Sequence, residues 1–100
     1  MSSTPGTHGR SASATDESAD IQTRVGRGAA TAHLLRTEGS LEPALETAER
    51  TFEQARAAFG PTSVLFKMAF EEVLECAVTA GRPERAHELL ALIDTLLPVR

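Results

Sequence analysis

Glu84-x-x-His87 sets a carboxylate and an imidazole one helical turn apart. Helical bundles use this spacing to hold carboxylate-bridged metal ions. Glu72 and Glu75, on the preceding helix, could add further carboxylates. A site of that kind needs two such units, and the sequence holds one. Glu84 also falls in a first helical turn, where the helix dipole favours an acid without any metal. Cys76 is the one thiol. A nucleophile needs an adjacent base, and nothing in the spacing ties His33 or His87 to it. Its apolar neighbours suggest a buried, inert cysteine. Gly26-Arg27-Gly28 lacks the preceding strand and the further glycines of a phosphate loop. Arg24, Arg27 and Arg36 fit the solvated side of an amphipathic helix. The expectation is a chain with no catalytic residue, metal ligand or cofactor. The alternative is a small helical metal-binding protein or enzyme using Glu72, Glu75, Glu84 and His87.

Composition narrows the classes further. One hundred residues allow one domain. Residues 1–19 hold eight Ser or Thr, two Gly and one Pro. They cannot bury enough apolar surface to offset ordering entropy, and read as a disordered tail. They contain no apolar core of a secretory signal. Residues 20–100 then form the folded part. No apolar run reaches the ~18 residues of a membrane span, so no membrane partner is expected. Residues 41–100 carry ten acidic and six basic groups. Nucleic-acid binders show a clustered basic face, and none is present, so nucleic acid is not expected as a partner. A single cysteine suits a reducing compartment, the cytoplasm. One Lys against nine Arg suggests a high-GC bacterial coding bias.

The elements show in a phrase used twice. Gly39-Ser-Leu-Glu42-Pro-Ala44-Leu-Glu46 and Gly81-Arg-Pro-Glu84-Arg-Ala86-His-Glu88 share the form G-x-x-E-x-A-x-E, 42 residues apart. Periods of 20–50 residues mark helical solenoids. Each glycine closes a helix in a positive-φ conformation. Pro83 suits the first turn of the next helix, and the small Ala44 and Ala86 let antiparallel helices approach. Four amphipathic helices follow from the 3.6-residue period. Residues 20–37 present Ile21, Val25, Ala29, Ala32 and Leu35, with Gly26 and Gly28 each weakening the helix by about 1 kcal/mol. Residues 41–58 present Leu41, Leu45, Ala48, Phe52, Ala55 and, just past the end, Phe59, before Gly60-Pro61 stops the helix. Residues 62–80 are apolar over much of their circumference, which marks a central helix. Residues 83–97 present Leu89, Leu90, Ile93, Leu96 and Leu97, with Leu92 off the stripe, and Pro98 ends them.

These residues resemble the tetratricopeptide repeat. Gly81, Ala86 and Pro98 hold its loop, small-residue and terminal-proline positions, with Phe70 at the large aromatic position and Leu74 where a small residue is usual. The first copy keeps Ala32, Leu35, Gly39 and Ala44 but has no terminal proline in register. The spacing exceeds the usual repeat, and Phe59-Gly60-Pro61 looks like the corner of a long-repeat variety. The run from Ala80 to Leu97 is also similar to helical-repeat regions of actinobacterial transcriptional regulators, which would make this chain a stand-alone sensor or oligomerisation fragment.

The resemblance implies an all-α fold: a four-helix antiparallel array of two tetratricopeptide-like helical hairpins. It also implies a protein or peptide partner in a groove lined by the first helix of each hairpin. Carried over residue by residue, that groove comprises Ala29, His33, Arg36 and Thr37, then Met68, Glu71, Glu75, Val78 and Thr79. Glu71 and Glu75 would make it partly acidic, favouring a basic or amphipathic ligand. Beside this, the last helix has more large apolar residues than one core face needs. Leu89, Leu92, Ile93 and Leu96 are expected to form an interface, either in a homodimer or on a larger partner.

Overall fold

The computed structural model describes the backbone of residues 3–97 and the side chains of residues 19–97. The remaining residues, among them Pro98 and the first two of the expected tail, lie outside the described ones. Every element is helical: α1 (Ser3–Thr37), α2 (Leu41–Ala58), α3 (Val64–Thr79) and α4 (Pro83–Leu96). No strand occurs among the described residues. Connections of three to five residues join helices that lie side by side, so successive helices run antiparallel.

α1 starts at Ser3 and not near residue 20, where the apolar pattern begins. A nucleated helix gains one hydrogen bond for each residue added, so its backbone can run past its packed segment. The composition boundary at residue 19 therefore falls within α1. Core packing begins at Ile21.

The α1–α2 and α3–α4 corners close with the same bonds. Gly39 and Gly81 have φ of 90° and 73°. Gly39 N–H donates to Arg36 O at 3.1 Å and Ser40 N–H to Leu35 O at 2.9 Å. Forty-two residues on, Gly81 N–H donates to Val78 O at 3.1 Å and Arg82 N–H to Ala77 O at 2.8 Å. This is the Schellman arrangement, with a left-handed glycine satisfying the orphan carbonyls of the helix end. α1 and α3 end at Thr37 and Thr79, and α2 and α4 begin at Leu41 and Pro83, so both boundaries keep that spacing. The middle corner differs. Ser63 caps α3, its hydroxyl accepting from Leu65 N–H at 3.1 Å.

α3 is the central helix and packs against α1, α2 and α4. The core joins Val25 and Ala32 of α1 to Ala44, Leu45, Ala48, Phe52 and Ala55 of α2. From the other side come Phe66, Ala69, Val73, Cys76 and Ala77 of α3, and Ala86 and Leu89 of α4. Phe52 sits between Phe66 and Phe70, with ring centroids 5.5 and 6.0 Å away at tilted angles of 60° and 55°. Such tilted pairs contribute about 0.5–1.5 kcal/mol beyond their area.

Two residues correct the sequence reading of the core. Gly28 is not a mere weak point in α1: a Cβ there would lie 2.1 Å from Thr51 Oγ1. Its missing side chain is what lets α1 and α2 approach. In α4 the roles of Leu90 and Leu92 are exchanged. Leu92 packs partly buried against the core, while Leu90 is 46% exposed. Leu89, Leu92, Ile93 and Leu96 follow the i, i+3, i+4, i+7 spacing of one helix face, which Leu90 leaves.

Candidate functional site

Between α1 and α3 lies an open groove of about 410 Å³. Gly26, Ala29, Ala30, His33 and Leu34 of α1 form one wall, and Met68 and Glu72 of α3 the other. The lining is mainly apolar. Leu34 and Met68 are 58% and 37% exposed, so large apolar side chains face solvent here. α1 can line a groove because alanines and Gly26 stand where bulkier residues would fill it.

Glu72 organises the polar side of the groove. Its carboxylate accepts from Arg36 Nε at 2.9 Å and Arg36 Nη2 at 3.3 Å. Both side chains are largely shielded, at 18% and 13% exposure. Cys76 Sγ donates to the same carboxylate at 3.4 Å. Arg36 Nη2 also donates to His33 Nδ1 at 3.0 Å. A guanidinium only donates, so His33 Nδ1 is the acceptor and its proton sits on Nε2. The Glu72 bond holds the Arg36 pKa above its ordinary value, against the opposing effect of burial. Burial, and then the bond to Glu72, push the Cys76 thiol up to about 12. A thiol so held stays protonated at neutral pH and is a poor nucleophile.

The expected groove residues separate. His33, with Ala29 and Met68, does line the groove. Arg36 closes its polar side through Glu72. Thr37 is exposed, and its hydroxyl donates back to Leu34 O at 3.0 Å. Glu71, Glu75 and Thr79 are exposed on α3 and do not line the groove, so the one acid among its lining residues is Glu72. The acid that faces α1 is Glu72. Positions 65, 69, 72 and 76 share a helical stripe, and that stripe turns inward. Its apolar members were legible in the sequence, but an acid on the same stripe gave no sign that Arg36, on another helix, would neutralise it.

Val78 belongs elsewhere. It lines a second hollow, of about 430 Å³, with Gly81, Pro83, Ala86, His87 and Leu90. The expected interface on α4 also changes. Leu89 is fully buried, and Leu92, Ile93 and Leu96 pack partly buried on the core. These side chains hold α4 to α3 and are not a free surface.

The carboxylate and imidazole candidates for metal binding are not brought together. Glu72 is engaged with Arg36, while Glu75, Glu84 and His87 point outward. Among the described residues, no three His, Cys, Asp or Glu side chains converge into a cation site. No described helix is long and apolar enough to cross a membrane.

Two more ion pairs tie α2 to α4. Arg85 reaches Glu49 through two bonds of 2.6 Å, and Arg82 bonds Glu42. The Glu49 contact holds the Arg85 pKa above its ordinary value. With Arg36–Glu72, these pairs join the first two helices to the last two by matched charges. No protein-family model, curated protein or solved structure matches the chain.

Proposed function

We propose that this chain is a non-catalytic protein-interaction module, built as two tetratricopeptide-like hairpins, that binds an apolar side chain of a peptide or protein in the α1–α3 groove. The observation that carries the reading is that groove: about 410 Å³, with Leu34 and Met68 exposed across it and polar groups only along one edge. Apolar side chains left open to water in a concave surface favour an apolar ligand. The fixed His33–Arg36–Glu72 cluster supplies orientation, with His33 Nε2–H available as a donor. The pair of identical corners at a 42-residue offset supports the repeat reading. The lone, buried Cys76 suits a cytoplasmic setting.

Selection of peptides from a random display library on the immobilised full chain tests this. The enriched synthetic peptide is expected to lose at least tenfold in affinity for the Leu34→Glu and Met68→Glu variants, since each puts a charge into an apolar contact. Failure to enrich any peptide, or binding that both variants leave unchanged, counts against the groove.

A further inference from the structure

We propose that the exposed end of the array, at the α3–α4 corner, docks α1 of a second copy of this chain, head to tail, on a face that runs from Arg24 to the groove-edge Ala30. The proposal rests on the two-hairpin repeat reading.

Within one chain, α3 covers a surface made by α1 and α2. Leu45 and Ala48 of that surface are buried and share a face with Phe52, which touches Phe66 and Phe70 of α3. Shifted by 42, Leu45 and Ala48 become His87 and Leu90, and Arg36 becomes Val78. These three line the hollow at the α3–α4 corner, where Val78 and Leu90 are 61% and 46% exposed. The hollow is thus the place that a third hairpin's first helix would fill, and no described element fills it.

The internal contacts say what fits there. Each contact between the hairpins can be shifted by one repeat, so that the later residue falls on a second copy. Arg36–Glu72 becomes Val78 against Ala30 of the second copy. Glu49–Arg85 becomes Ala91 against its Pro43. Glu42–Arg82 becomes Glu84 against its Ser40. The Phe52–Phe66 contact becomes Asp94 against its Arg24. Two internal ion pairs are replaced by apolar pairs, the third by a carboxylate facing a hydroxyl, and an aromatic pair by opposite charges. No mapped contact sets like charges together; the longer His33–Glu72 contact, at 3.6 Å, becomes Glu75 against Ala30, and Phe52–Phe70 becomes Asp94 against Gly28. Arg24 and Asp94 are both exposed. Among the described residues of one chain, Arg24 pairs only with Asp20, one turn away and equally open to solvent; such pairs contribute little and exchange readily. A contact between unlike surfaces is heterologous, and it propagates unless its rotation closes a ring.

The test is the mass of the full chain by light scattering as concentration rises into the millimolar range. The wild type is expected to grow beyond a dimer. Asp94→Arg brings two guanidinium groups together at the junction, and Arg24→Asp brings two carboxylates together there. Each alone is expected to weaken association tenfold or more, because juxtaposed like charges are strongly disfavoured. In a mixture of the two variants, the new arginine at position 94 of one can meet position 24 of the other, which now carries a carboxylate. Opposite charges are then restored at those junctions, and association is expected to return. Circular dichroism on each variant confirms that the helices remain. A wild type that stays monomeric, one that stops at a closed dimer, or a mixture that does not recover association overturns the proposal. The groove is read by a different ligand and different variants, so the failure of one reading leaves the other intact.

Discussion

Arg36 holds Glu72 through two bonds, of 2.9 and 3.3 Å, across the interface between α1 and α3. The same carboxylate takes the Cys76 thiol, and the same guanidinium takes His33. One pair of residues thereby joins the two hairpins, shapes the polar edge of the groove and sets the chemistry of the only cysteine. Four predictions start from this packing.

Removing one member of the pair leaves the other partly buried without its partner. Glu72→Ala and Arg36→Ala are each expected to lower unfolding stability by about 1.5–3 kcal/mol. The double variant is expected to lose less than the sum, with a coupling of about 1 kcal/mol. Urea denaturation of the four proteins measures this. Strict additivity would show that the pair contributes nothing as a unit.

Cys76 makes stability depend on alkaline pH. Its folded pKa, about 12, lies above the ordinary value of 9.0. The folded state therefore holds the proton more tightly than the unfolded state. The associated stability is fully present below about pH 9 and is lost as pH rises towards 12. Cys76→Ala is expected to flatten that part of the stability profile. Thiol labelling at pH 8 is expected to be slow in the native chain and fast in urea. Rapid native labelling would contradict the buried, Glu72-bonded thiol.

Glycines in α1 and at the corners are expected to differ in sign. Nothing lies within 4 Å of a Cβ at Gly26, so Gly26→Ala should stabilise by about 0.5–1 kcal/mol. At Gly28 the same change drives a Cβ into Thr51 and should destabilise. Gly39→Ala and Gly81→Ala meet open space, but each holds a left-handed backbone. Each should cost about 1–2 kcal/mol, and the two costs should add. Thermal denaturation of the single and double variants decides the order.

The two leucines of α4 separate core from surface. Leu92→Glu places a charge against the core and is expected to lose a substantial part of the helical signal at 37 °C. Leu90→Glu is expected to leave helicity unchanged, because its side chain already meets water. Equal effects would show that α4 is rotated from the position described.

The sequence by itself determined three of the four helices, the packed segment of α1 and the two glycine corners. Those features depend on short-range rules: a left-handed glycine at 39 and 81, a proline at 83, and apolar residues at 3.6-residue spacing along 41–58. Each acts within about one turn, so the local order of residues suffices. The central place of α3 was legible for the same reason, since a helix apolar on several sides must be covered on several sides.

Only the tertiary structure decided which of those faces meet. The sequence pattern puts Leu90 on the apolar stripe and Leu92 off it, yet the rotation of α4 against α3 buries part of Leu92 and leaves Leu90 exposed. Glu71, Glu72 and Glu75 look alike in sequence, yet Glu72 alone faces Arg36, an interaction across 36 residues of chain. Gly28 reads as a helix breaker until Thr51 arrives against it. The physical reason is the same in each case. A helix's own pattern fixes its buried stripe to within about one residue step, whereas packing at interior density resolves differences far smaller than that.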